Sequence, residues 1–235
     1  MKVAIMQPYF FPYIGYFQLI AATDVFVFYD DVNFIKKGWI HRNNFLFNQS
    51  RSLVSIPLKK PSQNKKIDEI LIHQENFEIW KKKFLKSIFQ NYKCSPHFEE
   101  IWELINSFFS KNFTSISELS MESVKAVCSY LNIKRMFLTS STLDYNRNQN
   151  AEEKILEINH LLKSSEYYNL SGGKHLYEGK NFKKKNISLK FMKDKGSKYP
   201  QQRKGFEANL SIIDVLMFND IPAITNMLSN YTITE

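Results

Sequence analysis

Two adjacent carboxylates, Asp30 and Asp31, close the apolar run "DVFVFYDD", and Lys37, Trp39, His41, Arg42 and Asn43 follow within the next dozen positions. A planar, always-charged guanidinium beside an indole, an imidazole and an amide binds a phosphate and a ring together. His41 is the group suited to general-base work near neutral pH, with Asp30 or Asp31 orienting it or an incoming amine. A lone histidine is more often simply hydrogen-bonded, so this assignment rests on the neighbours.

A second cluster lies in "YYNLSGGKHLY". Gly172 and Gly173 allow positive φ and close backbone approach, and Lys174 adds a cation, which together would hold one phosphate. A tight turn with a solvated lysine explains the same residues equally well. Tyr168 stands where the first glycine of a phosphate loop belongs, and no GxGxxG occurs, so neither a dinucleotide site nor a hydrolytic phosphate loop is indicated. The histidines make no HxH, HxxxH or HExxH, and no serine sits in GxSxG, so neither zinc chemistry nor a serine nucleophile is indicated.

The third cluster is "QPYFFPYIGYF", residues 7–17. Its prolines restrict the backbone, while Gln7 and tyrosines such as Tyr9 and Tyr16 offer hydrogen bonds and ring faces to a sugar or nucleobase. If the stretch is packing instead, its hydroxyls must find internal partners.

A chain of 235 residues, 43 % hydrophobic, is long enough for one well-buried core with a helical insertion. No run approaches the roughly 20 apolar residues of a membrane span, and the N-terminus lacks the pattern of an export signal, so a cytoplasmic protein is expected. Cys94 and Cys128 form no CxxC and imply no disulfide framework. The net charge of +9 favours encounters with polyanions: nucleotides, acidic carrier proteins or RNA. Lysine bunches at 58–66, 81–86 and 180–185 read first as solvated surface.

These residues need elements to position them. "KVAIM" and "TDVFVFYDDVNF" read as strands with a helix in "YIGYFQLIAA" between them, which is a right-handed parallel crossover. "LVSIPL" reads as a third strand, and 59–75 as an exposed loop. Three helices follow over about 76–132, the second with Ser95 as N-cap and Pro96 at its first position. The strand "RMFLTSS", the capped helix "NAEEKILEINHLLKSS", the strands "SEYYNLSGG" and "NISLKFM", and a C-terminal helix capped by Ser211 complete the order. The fold class is α/β: an open, mostly parallel, Rossmann-like sheet in a single domain, with the helical segment partly inserted. In such sheets ligands collect at the carboxyl ends of strands, where residues 7–17 and 169–177 fall.

Four separated stretches carry a resemblance. "QPYFFPYIGYF", "DDVNFIKKGWIHRN", "NLSGGKHLY" and "LSIIDVL" stand in the order of the pattern of the WbqC-like family, and the likeness spans residue 3 to about 220. By matching position it implies site residues at Gln7, Pro8, Pro12, Gly15 and Tyr16, at Asp30 and Asp31, at Trp39, Arg42 and Asn43, at Asn169, Gly172, Gly173, Lys174, Leu176 and Tyr177, and at Ser211 and Asp214. His41 occupies a place where many members carry Asn.

The resemblance further implies a role in bacterial O-antigen or other surface-polysaccharide biosynthesis, with glycine transfer to an amino sugar as the proposed reaction. The expected activity is therefore aminoacyl, in the simplest case glycyl, transfer to the amine of a nucleotide-linked amino sugar. Asp30 or Asp31 would handle the proton, with His41 in reserve. Arg42, Lys174 and the glycine backbone would hold phosphate, while Gln7, Tyr9, Tyr16, Lys37, Trp39 and Asn43 would line the pocket. No resident cofactor is implied; an activated donor would be a carrier-protein thioester or an aminoacyl-tRNA, making an acidic carrier protein or tRNA a partner. The layout also looks like that of nucleotidylyltransferases, but "QPYFFPYIGY" lacks the histidines of their HIGH-type motif. The rival readings are nucleotidyl transfer to a sugar phosphate, with Asp30 and Asp31 on a divalent metal, and a non-catalytic module that binds nucleotide sugar, carrier or RNA.

Overall fold

A computed structural model describes residues 1–235. Five parallel strands and one antiparallel strand form its main sheet, in the order β5-β2-β1-β6-β7-β8. These are β1 Lys2–Met6, β2 Val25–Phe28, β5 Met136–Thr139, β6 Glu166–Leu170, β7 Ser188–Asp194 and β8 Tyr231–Thr234.

The strands read as unbroken apolar runs because both faces are covered. Ala4, Phe26, Phe28, Tyr168 and Met192 join a core cluster of 43 buried residues on one face. Their alternates Val3, Ile5, Val25, Val27, Tyr167, Leu189 and Phe191 join a second cluster of 12 on the other, the residues dividing by the period of two that a strand imposes. Helix α1, Ile14–Ala22, and helices α2 Gln74–Tyr92, α3 Phe98–Phe109 and α4 Ile116–Tyr130 contribute to the larger cluster, as do α7 Ile212–Phe218 and α8 Ile221–Leu228. Helices α5, Ala151–Leu161, and α6, Gly179–Lys184, cover the opposite face. Asn150 caps α5 in a reciprocal capping box with Glu153, and Ser211 caps α7 through the Ile213 amide.

Several expectations are corrected. The stretch around "HRNNFLFNQSRSLVS" is a hairpin of β3 Arg42–Phe47 and β4 Ser50–Ser55, so Arg42 and Asn43 open a strand rather than sit in a loop. Asn48 and Gln49 close it with φ of 50° and 58°, the left-handed pair that a two-residue turn demands. Residues 59–75 are no exposed loop: Ile67, Ile70 and Ile72 are buried there, and short bridges pair Lys66 with Asn33, and Ile72 with Leu58. Ser95 does not cap α3; its hydroxyl donates back to the Tyr92 carbonyl at 2.6 Å and the helix begins at Phe98. Strand β2 ends at Phe28, so the two aspartates lie beyond it, and the final pair α8 and β8 was not legible.

Candidate active site

The chain runs from β1 outward through β2 to β5, then crosses to β6 on the other side of β1, so its switch point is the crevice between the carboxyl ends of β1 and β6. Residues 7–13 leave β1 there, and the turn Ser171–Leu176 leaves β6. Beside them, Tyr29–Asp31 follow β2 and Ser140–Thr142 follow β5.

The aromatic turn after β1 divides into buried and free groups. Phe10, Phe11 and Tyr16 are fully buried, and Phe11 has φ of 39°, the left-handed region that a bulky residue adopts only when held there. Three distant side chains hold it. The Phe11 amide donates to Ser123 Oγ at 3.0 Å, Ser211 Oγ donates to the Phe11 carbonyl at 2.8 Å, and Asn43 Nδ2 donates to the carbonyls of Phe10 and Phe11. Tyr16 donates its hydroxyl to the Gln7 carbonyl at 2.8 Å, and a Cβ on Gly15 would stand 2.4 Å from the Tyr13 ring. Pro8, Pro12, Gly15, Tyr16 and Asn43 thus build the turn from within. The Gln7 amide and the Tyr9 and Tyr13 hydroxyls stand apart from that network, with no hydrogen bond to the protein. Burial raises both phenols, Tyr13 to about 12 with help from Tyr9 and Asp194, so they are neutral donors.

Asp30 and Asp31 are buried and engaged. Asp30 Oδ1 accepts the Ser141 amide at 3.1 Å, and its Oδ2 accepts Ser141 Oγ at 3.0 Å and Ser117 Oγ at 3.3 Å. Ser140 Oγ accepts the Asp30 amide at 3.1 Å and donates to Asp31 Oδ1 at 2.5 Å, where the Tyr145 hydroxyl also donates at 2.7 Å. Arg147 Nε donates to Asp31 Oδ2 at 2.8 Å. The pair ties the end of β2 to the turn after β5, which leaves little lone-pair capacity for a substrate proton or a metal. No group of three or more His, Cys, Asp or Glu side chains is arranged to hold a metal ion.

Proton-handling capacity lies elsewhere at this edge. Asp68, in the segment bridged to Asn33, donates its amide to the Asp30 carbonyl at 3.0 Å, while its Oδ1 is buried without a partner. Burial raises its pKa, and the negative charges of Asp30 and Asp31 raise it further. His41 Nδ1 is likewise buried and unpartnered, with the Phe34 ring 5.3 Å away. Burial, then the Arg42 charge, lowers its pKa to about 4, so the imidazole is neutral at physiological pH. The Tyr29 hydroxyl is a third unpartnered buried atom. The Tyr145 hydroxyl is close enough to influence it but gives its own hydrogen to Asp31.

The other expected anion holders, Arg42 and Lys174, are engaged by protein carbonyls. Arg42 donates Nε to the Gly38 carbonyl at 2.9 Å and a terminal nitrogen to the Lys37 carbonyl, with Trp39 5.5 Å from its guanidinium carbon. This closes the 37–42 turn and leaves the Trp39 ring 44 % exposed as a platform and the Lys37 side chain in solvent. Asn169 Nδ2 donates to the hydroxyls of Tyr167 and Tyr177, both at 3.1 Å, within the core edge. Lys174 donates to the Glu235 carbonyl at 2.7 Å and lies over Phe191. Gly172 and Gly173 lie in the turn after β6 without positive φ; the left-handed glycines are Gly196 and Gly205, with φ of 77° and 82°. The positive φ expected at Gly172 and Gly173 is therefore not found.

Comparison with known proteins identifies one family. The profile of the WbqC-like protein family matches residues 7–226. The chain belongs to this family. An uncharacterized protein of Mycobacterium tuberculosis is 30 % identical over 221 residues, covering 93 % of each chain. No solved structure matches. In this WbqC-like protein the motifs brace one another: Asn43 and Ser211 both grip Phe11, and Asp214 accepts from Tyr92 at 2.9 Å, Tyr199 at 2.6 Å and Gln201 at 3.0 Å. Sequence reading missed Tyr29, Asp68, Ser140, Ser141, Tyr145 and Arg147. Only the polar run "TSSTLDY" after an apolar strand hinted at the serines.

Proposed function

We propose that this WbqC-like protein is a biosynthetic transferase that places an aminoacyl group, glycyl in the simplest case, on the amine of a nucleotide-linked amino sugar. The observation that carries this reading is the set of free polar groups at the carboxyl edge: Gln7, Tyr9 and Tyr13 beside β1, with His41 Nδ1 and Asp68 Oδ1 near β2. Neutral amide and phenol groups suit the hydroxyls of a sugar and the polar edge of its base. The family's association with surface polysaccharides supplies the setting.

Amide formation requires the amine nitrogen to attack the acyl carbon, lose a proton, and expel the donor's thiol or hydroxyl. Asp68 takes that proton in place of the engaged Asp30–Asp31 pair, because its side chain is half-buried at this edge and its raised pKa makes it a stronger base than an ordinary carboxylate. Neutral His41, in the tautomer with hydrogen on Nδ1, donates to the developing oxyanion. Trp39 offers its face to the sugar or base. Nucleotidyl transfer loses support, since Asp30 and Asp31 spend their oxygens on protein donors.

The test is a thermal-shift panel of uridine- and thymidine-diphosphate amino sugars with the wild type and Gln7→Ala. A saturating ligand at 100 times its dissociation constant adds about 2.7 kcal/mol. One sugar nucleotide is expected to raise the melting temperature, and the variant to lose that shift while melting normally without ligand. A folded wild type unmoved by the whole panel overturns the reading.

A further inference from the structure

The net charge of this protein is concentrated in one segment. Residues 174–204 hold 11 of the 32 Lys and Arg but 2 of the 23 Asp and Glu, a net of +9, while the rest of the chain balances at 21 against 21. Four of these cations are engaged: Lys180 with Glu178, Lys190 with Glu235, Arg203 with Glu207, and Lys174 with the Glu235 carbonyl. The other seven, Lys183, Lys184, Lys185, Lys193, Lys195, Lys198 and Lys204, are exposed and make no salt bridge.

The fold sets Lys183–Lys185 and Lys193 on the α6 side of the sheet, whereas Lys198 lies between Ser197, bonded to Asn230 after α8, and Tyr199, bonded to Asp214 of α7, on the other side. Lys183–Lys185 end α6 and precede β7, whereas Lys193, Lys195 and Lys198 lie at and beyond the other end of β7. By strand alternation Lys193 shares the α6 side with Leu189 and Phe191, which pack with Phe182 of α6. The seven residues of β7 separate the two lysine groups by about 20 Å. A cavity of about 660 Å³ lined by Lys174, Tyr177, Lys183, Asn186, Ser188 and Phe191 lies along the same face.

We propose that this α6–β7 flank is a docking surface for RNA. Two phosphates of a nucleotide sugar cannot bridge lysine groups so far apart, whereas a polynucleotide backbone presents a charge at every step. An acidic protein would bring an apolar interface centre, and the segment exposes only one large apolar side chain, Leu176. RNA docking stands independently of the acyl-transfer reading; that the RNA carries the aminoacyl donor rests on that reading.

The experiment is fluorescence anisotropy of labelled bulk transfer RNA, across a salt series beginning near about 50 mM, without sugar nucleotide. Three proteins are compared: wild type, the triple variant Lys183→Gln, Lys184→Gln, Lys185→Gln, and a control of equal charge loss on α2, Lys82→Gln, Lys83→Gln, Lys86→Gln. A flank variant, Lys193→Gln with Lys195→Gln, repeats the test should the first melt early. Wild type is expected to bind with a steep salt slope. The flank variants should weaken binding roughly tenfold or more and flatten the slope by about one unit for each phosphate no longer neutralised, with the α2 control near wild type. Equal weakening by the control, no binding at the lowest salt, or polyglutamate competing better than unlabelled RNA overturns the proposal. Because no sugar ligand is present, a failure here leaves the thermal-shift result standing on its own.

Discussion

Arg147 reaches back from the loop after β5 to place its Nε 2.8 Å from the buried Oδ2 of Asp31. Its other nitrogens close on the carbonyls of Ser140, Ser141, Leu143 and Tyr145, and its guanidinium carbon lies 4.6 Å from the Tyr145 ring centre. One side chain therefore organises the whole turn that also receives Asp30.

Removing that cation leaves Asp31 buried with one oxygen unpaired. Arg147→Ala is expected to cost about 2–3 kcal/mol in urea unfolding, less than breaking a fully buried pair because the arginine side chain is 33 % exposed. Arg147→Lys should recover little, because an ammonium cannot serve a carboxylate and four carbonyls at once. Lysine restoring wild-type stability would contradict this account of the turn.

The left-handed Phe11 depends on Asn43. Asn43→Asp keeps the shape but sets an anion against the carbonyls of Phe10 and Phe11, where two hydrogen bonds stood. A loss of about 3 kcal/mol or more is expected, checked by equilibrium denaturation at neutral pH.

For His41 the folded pKa of about 4 lies below the ordinary 6.5. Between those values the unfolded chain binds more protons, so stability falls as pH drops from about 6.5 towards 4 and is unaffected by this group above that window. His41→Asn should flatten that part of the urea midpoint profile. A nuclear magnetic resonance titration placing the His41 midpoint near 6.5 in the folded protein would contradict the assigned burial.

Asp68 carries the opposite sign. Its raised folded pKa means the native state holds the proton longer, so ionisation costs stability as pH rises through that raised value. Asp68→Asn should therefore be at least as stable as wild type at neutral pH and converge with it, or fall below it, in acid. In a transfer assay the same variant should bind sugar nucleotide normally and lose turnover by a factor of about a hundred or more. Full turnover would remove its role as base.

Much of the architecture is legible because it depends on local pattern. The apolar runs of β1, β2, β6 and β7, the amphipathic stripes of α2 and α3, and the caps at Asn150 and Ser211 each follow from residues within one or two turns of one another. The β3–β4 hairpin escaped because its reversal at Asn48–Gln49 carries no glycine, and the buried isoleucines of 67–72 escaped because a lysine-rich, polar stretch surrounds them. The carboxylates show the limit most clearly. Adjacent aspartates beyond a strand announce a polar site, but whether they meet a ligand or the protein's own donors depends on Ser117, Ser140, Tyr145 and Arg147, some 90 to 120 positions away.

The sequence by itself determined the α/β alternation, the family and the position of the aromatic turn, since these are properties of spacing and residue type along the chain. The tertiary structure decided which polar atoms are free. Asp30, Asp31, Arg42, Asn43 and Lys174 are satisfied by groups brought from elsewhere in the chain or by their own turn, whereas Gln7, His41 and Asp68 keep unpaired atoms. The reason is physical: a buried donor or acceptor is costly to leave unpaired, and its partner is set by distance in space rather than along the chain.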